Sequence, residues 1–281
     1  MSRGSRFTLA RLDLVAGHPT RYRYGDDERE MTARDHEVLV LGPDGELEPV
    51  RRTLWRSHHG PMVNLPLLGW GTETAFTYRD ANLDLTGICA QFLAMDRARS
   101  LEEFQAAIAE IQGLPWVNTL AADRAGRTWY VDASPTPNLS EAAQDRFVER
   151  VGTDLVGALL YEARVALLDG SDPGDEWVED PAASRPGLVP WERLPQQERA
   201  DYVANANDPH WLTNPAAPIE GHSPLHGMER APLSLRTRQN HRVAGRLAAS
   251  GEVTAAGALD AMLDNASLSA ELLLDDVVAR C

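Results

Sequence analysis

The chain has 281 residues, of which 43% are hydrophobic and 25% are charged, and this composition is typical of a folded globular protein. Its 42 acidic residues outnumber its 27 basic residues, so the formal net charge is −15. Because nucleic acids and anionic membranes bind cationic surfaces, this charge argues against both as partners. No stretch approaches the ~20 consecutive apolar residues of a transmembrane helix, so no membrane span is predicted.

The first part of the chain predicts a sheet that is rich in hairpins. Alternating and β-prone residues predict strands at 7–15, 21–24, 30–41 and 47–56. The sequence Gly42-Pro43-Asp44-Gly45 predicts a turn between the last two strands, which therefore form a hairpin.

Helical periodicity follows this sheet. Ile88, Phe92 and Met95 recur at helical spacing and predict one helix. Ser100 and Glu103 form a capping box, which predicts that a second helix begins directly after Ser100.

The sheet pattern then returns and is followed by further helices. Strands are predicted at 116–123 and 128–132, on either side of a turn that contains glycine. The segment 169–197 is rich in Pro, Gly, Asp and Glu, and we interpret it as a surface excursion. Three final helices are predicted at 236–249, 254–263 and 267–280.

The order of sheet, helices, sheet and helices predicts a layered α+β domain rather than a regular βαβ alternation. The first strand begins almost at residue 1, and the last helix continues to Cys281 without a Gly or Pro that would end it. We therefore expect residues 1–281 to be an internal fragment of one domain, truncated at both ends. Cys89 and Cys281 show no pairing pattern and no metal-binding spacing.

The strongest local motif is the segment 203–215, which contains Asn205, Asn207 and Pro209. A side-chain amide at the end of a strand can donate N–H to a developing negative charge, as an oxyanion hole requires. The alternative is turn chemistry, because Asn-Asp-Pro is a favourable Asx-turn sequence.

Other candidate residues each have a structural alternative. Arg236 can orient a backbone through forked hydrogen bonds, or it can belong to an ion pair near a helix N-terminus. Phe92 and Trp116 can line an apolar pocket, or they can belong to the core.

Two histidine pairs suggest a metal site, namely His58 with His59 and His222 with His226. Neither pair has a carboxylate or a third ligand at a recognised spacing, and Pro224 interrupts the second pair. We therefore favour turn or surface histidines, and no metal is predicted.

Several blocks, taken together and in this order, resemble the penicillin acylase family, in particular its acyl-homoserine-lactone and aculeacin acylases. Each block alone is a weak signal, whereas the set covers nearly the whole chain. The matching stretches are 7–12, 56–63, 78–83, 113–123, 205–218 and 223–225.

The resemblance implies an αββα N-terminal-nucleophile sandwich, of which this chain would be an incomplete part of the large subunit. It implies a catalytic N-terminal serine that uses its own α-amino group as base. It further implies that Asn207 contributes to the oxyanion hole and that Arg236 supports the site. Phe92, Trp116 and Val117 match positions of the acyl-chain pocket.

The resemblance also implies that this chain lacks the nucleophile. In the family, several dozen residues that carry the serine precede the first strand, and Met1 stands near the position of the backbone donor of the oxyanion hole. Ser2 and Ser5 lead directly into a strand, so neither is expected to be the nucleophile.

The resemblance predicts a hydrolase of linear amides, such as N-acyl-homoserine lactones, lipopeptides or β-lactam side chains, and this chain alone is expected to be inactive. The alternative is a non-catalytic remnant, or a partner chain that binds acyl groups. Expected partners are an acyl amide and the remaining segments of the acylase heterodimer. No cofactor is expected, although some intact relatives bind calcium, and the intact family member is expected in the periplasm or secreted.

Overall fold

The computed structural model describes residues 2–66, 68–251 and 253–281. Its helices and strands form a mixed α+β architecture in which residues from distant parts of the chain pair. In chain order they are β1 (Phe7–Val15), β2 (His18–Tyr24), β3 (Asp27–Glu30), β4 (Thr32–Leu41), β5 (Leu47–Arg56), β6 (Met62–Val63), β7 (Thr74–Asp80), α1 (Ile88–Arg97), α2 (Leu101–Ile111), β8 (Asn118–Ala122), β9 (Thr128–Asp132), α3 (Glu141–Thr153), α4 (Leu155–Glu162), β10 (Val165–Asp169), β11 (Gln196–Arg199), α5 (Leu235–Ala249), α6 (Ala255–Leu263) and α7 (Leu268–Val278).

The chain divides into two compact units, and each is built from discontinuous segments. One, here called the helical unit, comprises residues 1–4, 84–137 and 179–281. The other, here called the sheet unit, comprises residues 5–83 and 138–178.

The sheet unit is organised around β1. This strand pairs in parallel with β10 and antiparallel with β7 and β2, and the sheet runs in the order β3-β2-β1-β7-β6. Leu12, Leu14 and Tyr22 are buried on one side of this sheet with Met31, whereas Leu9 belongs to a second apolar cluster. The alternation of side chains along a strand accounts for these two clusters.

The segment 30–41 differs from the single predicted strand, because the chain changes partner at Met31. β3 pairs with β2, whereas β4 pairs with β5. Met31 lies between them, buried at 3% exposure, and its amide donates to the Thr20 carbonyl. The predicted hairpin turn is confirmed: Gly45 has φ 84°, a value that glycine adopts without strain.

The helical unit has a three-stranded sheet in the order β11-β9-β8. Trp129 and Val131 of β9 are buried against Leu101 and Ile108 of α2. The predicted cap at Ser100 is confirmed, because its hydroxyl accepts from the Glu103 backbone amide at 3.1 Å, whereas the Glu103 carboxylate accepts from the Arg99 amide at 2.7 Å. The three C-terminal helices are also confirmed, as α5, α6 and α7.

The segment 169–197 has little regular structure, but much more of it is buried than a surface excursion would be. In the sheet unit, Asp175 and Trp177 are 2% and 7% exposed. In the helical unit, Leu188 and Leu194 are 4% and 3% exposed. The polar and Pro-rich composition of the segment predicts exposure, so these few buried side chains could not be recognised from the sequence.

Candidate active site

The motif 203–215 forms a tight turn in the helical unit, and this turn positions Asn207. The backbone of Asn207 is left-handed, with φ 65°, a conformation that asparagine tolerates better than most residues. The backbone amide of Asn207 donates to Oδ1 of Asn205 at 2.8 Å. The Asx-turn alternative is therefore realised, but the side chain that closes the turn is that of Asn205, not that of Asn207.

Asn205 is itself fixed by two strands. Asn118, the first residue of β8, donates through Nδ2 to Asn205 Oδ1 at 2.9 Å. Asn118 in turn accepts from the hydroxyl of Tyr130 on β9 at 2.7 Å. A row of hydrogen bonds thus connects the rigid sheet to the turn that carries Asn207.

Two arginines hold Asn207 from different sides. Arg3 donates through Nε to the Asn207 backbone carbonyl at 2.8 Å, and Arg236 at the start of α5 donates through Nη1 to Asn207 Oδ1 at 3.2 Å. Because a guanidinium only donates hydrogen bonds, the oxygen of the amide must face Arg236. The NH₂ group of Asn207 is therefore directed away from that guanidinium.

Asp208 gives the turn a partly buried carboxylate. Its Oδ2 atom is buried with no hydrogen-bond partner among the described residues. Burial raises the pKa of Asp208, although the charges of Arg3, Arg236 and His241 and a hydrogen bond from Ser234 oppose the rise. The turn therefore carries an unfavourable charge next to the oriented amide.

The residues proposed for the acyl pocket also lie in the helical unit. The Phe92 side chain on α1 is 47% exposed, and Trp116, just before β8, is 50% exposed. Val117 is partly buried against the core cluster around Trp129. Phe92 and Trp116 are thus exposed aromatic side chains rather than core residues, while Val117 packs against the core.

Ser2 has partners that sequence reasoning did not predict. Its hydroxyl donates to the carboxylate of buried Asp132, and its backbone amide donates to the Trp116 carbonyl at 2.9 Å. Because 130 residues separate Ser2 from Asp132, no local pattern could have revealed this contact. Met1, near which the backbone donor of the oxyanion hole was expected, lies outside the described residues.

Five of the eight histidines lie in two clusters, one in each unit. In the sheet unit, His58 and His59 meet Glu176, a carboxylate that sequence spacing did not reveal. In the helical unit, His210, His222 and His226 contact one another edge-to-face.

Glu229 binds the second of these clusters. It meets His210 Nε2 at 3.4 Å and accepts from the His222 amide at 2.9 Å. Burial favours a higher pKa for Glu229, but these bonds and the Gly221 amide outweigh it and lower the pKa to about 2. Glu229 is therefore ionised, and its hydrogen bonds connect His210 to the segment that contains Gly221 and His222.

The sequence is similar to known proteins over nearly its whole length. The family model described as penicillin amidase matches residues 1–280. The acyl-homoserine lactone acylase PvdQ of Pseudomonas fluorescens is 41% identical over 234 residues, which are 83% of this chain and 29% of that protein. The same acylase of Pseudomonas savastanoi pv. phaseolicola is 37% identical over 98% of this chain and 34% of that protein.

Aculeacin-A acylase of Actinoplanes utahensis is 35% identical over 100% of this chain and 36% of that protein. Among solved structures, a thermostable penicillin G acylase from Alcaligenes faecalis has a TM-score of 0.48 at 18% identity, over 70% of this chain and 29% of that one. The chain spans about a third of the length of the curated relatives that it matches.

No helix among residues 2–66, 68–251 and 253–281 combines the length and the apolar character needed to cross a membrane. The family model covers nearly every residue of the sequence, from the first strand through the last helix. The chain therefore belongs to the penicillin amidase family.

Proposed function

We propose that this chain contributes the oxyanion-binding part of an amidohydrolase that cleaves linear amides of acyl groups. The family match and the relatives, acyl-homoserine lactone acylase and aculeacin-A acylase, support this reaction class. In the intact enzyme we expect the αββα sandwich of N-terminal-nucleophile hydrolases.

The observation that carries the proposal is the orientation of the Asn207 amide. Arg236 holds the amide oxygen, so the orientation of the NH₂ group, a hydrogen-bond donor, is fixed. A donor that is oriented before the reaction stabilises a tetrahedral oxyanion without the cost of reorganisation. Arg236 is then a positioning residue, since it acts through Asn207.

The nucleophile is proposed to come from a segment outside these 281 residues. Ser2 does not fit the role, because its hydroxyl is engaged by Asp132 and its nitrogen is a peptide amide that donates to Trp116. An N-terminal nucleophile needs an adjacent free amine as base. Phe92, Trp116 and Val117 would contribute apolar surface for the acyl chain.

A chimera tests this function. In the chimera, the matching third of the Pseudomonas savastanoi acylase is exchanged for this chain. The assay measures the release of homoserine lactone from an N-acyl-homoserine lactone. We expect turnover by the chimera and none by the isolated chain. Turnover by the isolated chain, or a correctly folded and processed chimera without activity, would contradict the proposal.

A further inference from the structure

The sheet unit contains a group of three potential metal donors that the proposed amide hydrolysis does not use. His58 and His59 lie in the turn that follows β5, and Glu176 lies in the segment that follows β10. His58 Nε2 is 3.1 Å from Glu176 Oε2, and His59 Nδ1 is 3.4 Å from the same oxygen. The donors therefore converge on one point from chain segments more than a hundred residues apart.

The tautomer of His59 can be assigned from its other contact. Nε2 of His59 lies 3.0 Å from the Gly170 carbonyl oxygen, which only accepts, so Nε2 must carry a hydrogen. In the neutral ring, Nδ1 then presents a lone pair to Glu176 Oε2. Two lone pairs that face each other repel, and a cation between them would convert this repulsion into two bonds.

The spacing of the three donors fits a transition-metal ion. Zinc bonds to histidine nitrogen and carboxylate oxygen are about 2.0–2.1 Å, so ligands at two corners of a tetrahedron are about 3.3 Å apart. The measured separations of 3.1 Å and 3.4 Å lie close to that value. Two nitrogens and one oxygen favour Zn²⁺ and similar first-row ions over Ca²⁺ or Mg²⁺, which prefer oxygen donors.

Each donor also has a second partner that fixes its orientation. His58 Nδ1 lies 2.8 Å from the Tyr22 hydroxyl, which can accept its hydrogen, and His59 donates to Gly170. Glu176 Oε1 accepts from Arg79 at 3.2 Å. Such outer contacts are typical of metal-binding histidines and carboxylates.

Charged and aromatic groups around the cluster set the limits of its affinity. Arg79 opposes a cation, but it contacts the outer oxygen of Glu176 and its guanidinium stacks on Trp177 at 3.9 Å. The Glu176 carboxylate thus lies between the Arg79 guanidinium at Oε1 and the place near Oε2 where an ion would bind. Tyr24 contributes a hydroxyl 3.5 Å from Oε2 and no charge of its own at neutral pH.

We propose that His58, His59 and Glu176 bind one divalent transition-metal ion, with zinc as the representative, and that the ion links the turn after β5 to the segment after β10. Three protein donors leave a fourth position for water. The ion would stabilise the sheet unit, because binding to the folded state alone shifts the folding equilibrium.

The proposal is tested by metal binding to the full chain in a C89S/C281S background, which removes the exposed thiols as competing zinc ligands. Zinc stoichiometry is measured by titration calorimetry, Co²⁺ coordination by its visible absorption, and thermal stability with and without zinc. We expect one equivalent of zinc, a tetrahedral cobalt spectrum and a melting temperature that rises with zinc concentration and returns with chelator.

Two ligand variants and two control variants locate the ion. E176Q and H58Q should each weaken zinc binding by at least about 10-fold, judged from the sensitivity of metal sites to lost contacts. H36Q alters a histidine on the exposed hairpin of the same unit and should leave binding unchanged. H222N probes the other histidine cluster and should also leave binding unchanged.

The outcomes separate the alternatives. Zinc binding that is lost in H222N but retained in E176Q and H58Q would overturn the proposal, as would the absence of any zinc-dependent change in the parent chain. If E176Q does not fold, H58Q decides the question, because the partly exposed His58 side chain is not part of the apolar core.

Discussion

The polar cluster around Asp175 and the turn that carries Asn207 differ in how many of their buried polar atoms have hydrogen-bond partners. In the sheet unit, Asp175 is 2% exposed, and both of its carboxylate oxygens accept hydrogen bonds. Arg146 donates to Oδ1 at 2.8 Å, Arg150 donates to Oδ2 at 3.2 Å, and the Asp169 amide donates to Oδ2 at 2.9 Å. The cluster holds α3 against the end of β10 and the turn that follows.

The turn that carries Asn207 is built differently. Asn207 has a left-handed backbone, and the neighbouring Asp208 carries a buried oxygen without a hydrogen-bond partner among the described residues. Strain and unmet polar groups persist where the surroundings enforce them, and such places are often functional. Asp175 is therefore expected to stabilise its unit more than Asp208 stabilises the turn that carries Asn207.

The largest expected effect is on catalysis, when the amide of Asn207 is removed. In the chimera, N207G should lower kcat by about 10²- to 10³-fold, as the loss of one oxyanion donor does elsewhere. Glycine accepts a φ of 65° without strain, so the melting temperature should hardly change.

A second substitution separates backbone strain from chemistry. N207A should lose the same activity and also about 1 kcal/mol of stability, because alanine is strained in the left-handed region. Steady-state kinetics and thermal melts measure the two effects. An N207G chimera with parental kcat would exclude Asn207 from the oxyanion hole.

The second expected effect is on stability, when the Asp175 cluster is broken. D175A should lower the free energy of unfolding by about 3 kcal/mol, since two arginines and the Asp169 amide would lose their shared acceptor. The matched control is E37A, which removes an exposed ion pair with Arg51 in the same unit and should cost less than about 1 kcal/mol. Chemical denaturation measures the free energy of unfolding of both variants. Equal losses in D175A and E37A would show that the Asp175 cluster is no more stabilising than an exposed ion pair.

Local sequence patterns predicted those elements that are stabilised by contacts within a few residues of one another. The helix cap at Ser100 and the glycine turn at Gly45 are satisfied within a few residues, so their structures agree with the prediction. α3, α4 and β10 were not predicted. The strand β10 is a short apolar run, which periodicity cannot distinguish from a buried helix, and its partner β1 lies far away in sequence.

The candidate site was only partly accessible to sequence reasoning. The Asn-rich turn was visible as a motif, but the roles of Asn205 and Asn207 in it depend on Asn118 and Arg3, which lie far from the turn in sequence. Glu176 could not be assigned to the histidine pair for the same reason. Contacts across such separations are set by the tertiary fold and leave no local spacing.

A smaller effect on catalysis is expected at Arg236, which donates a hydrogen bond to the side-chain oxygen of Asn207. In the chimera, R236K keeps the charge but loses the planar guanidinium that reaches Oδ1 at 3.2 Å, so kcat should fall about 10-fold with little change in KM. R238K alters an exposed arginine on the same helix and should leave kcat unchanged. Equal effects of R236K and R238K on kcat would show that the loss does not come from the hydrogen bond between Arg236 and Asn207.

The smallest expected effect is a pH-dependent change in stability at Asp208. Burial raises the pKa of this carboxyl in the folded state, so the folded protein holds the proton more tightly than the unfolded chain does. Its contribution to stability is therefore fully present below the unfolded pKa and is lost as the pH rises through the folded pKa. Asparagine does not titrate and carries no buried charge.

D208N should consequently raise the melting temperature relative to the parent at neutral pH, and the gain should shrink as the pH falls through the usual Asp range. Melts of both proteins across that range measure the difference. D201N is the control: Arg199 and Asn214 pair with Asp201 and lower its pKa, so its loss should reduce stability at neutral pH. If D208N also destabilised the chain at neutral pH, attraction to Arg3 and Arg236 would outweigh burial, and the turn would be a stabilising cluster like that of Asp175.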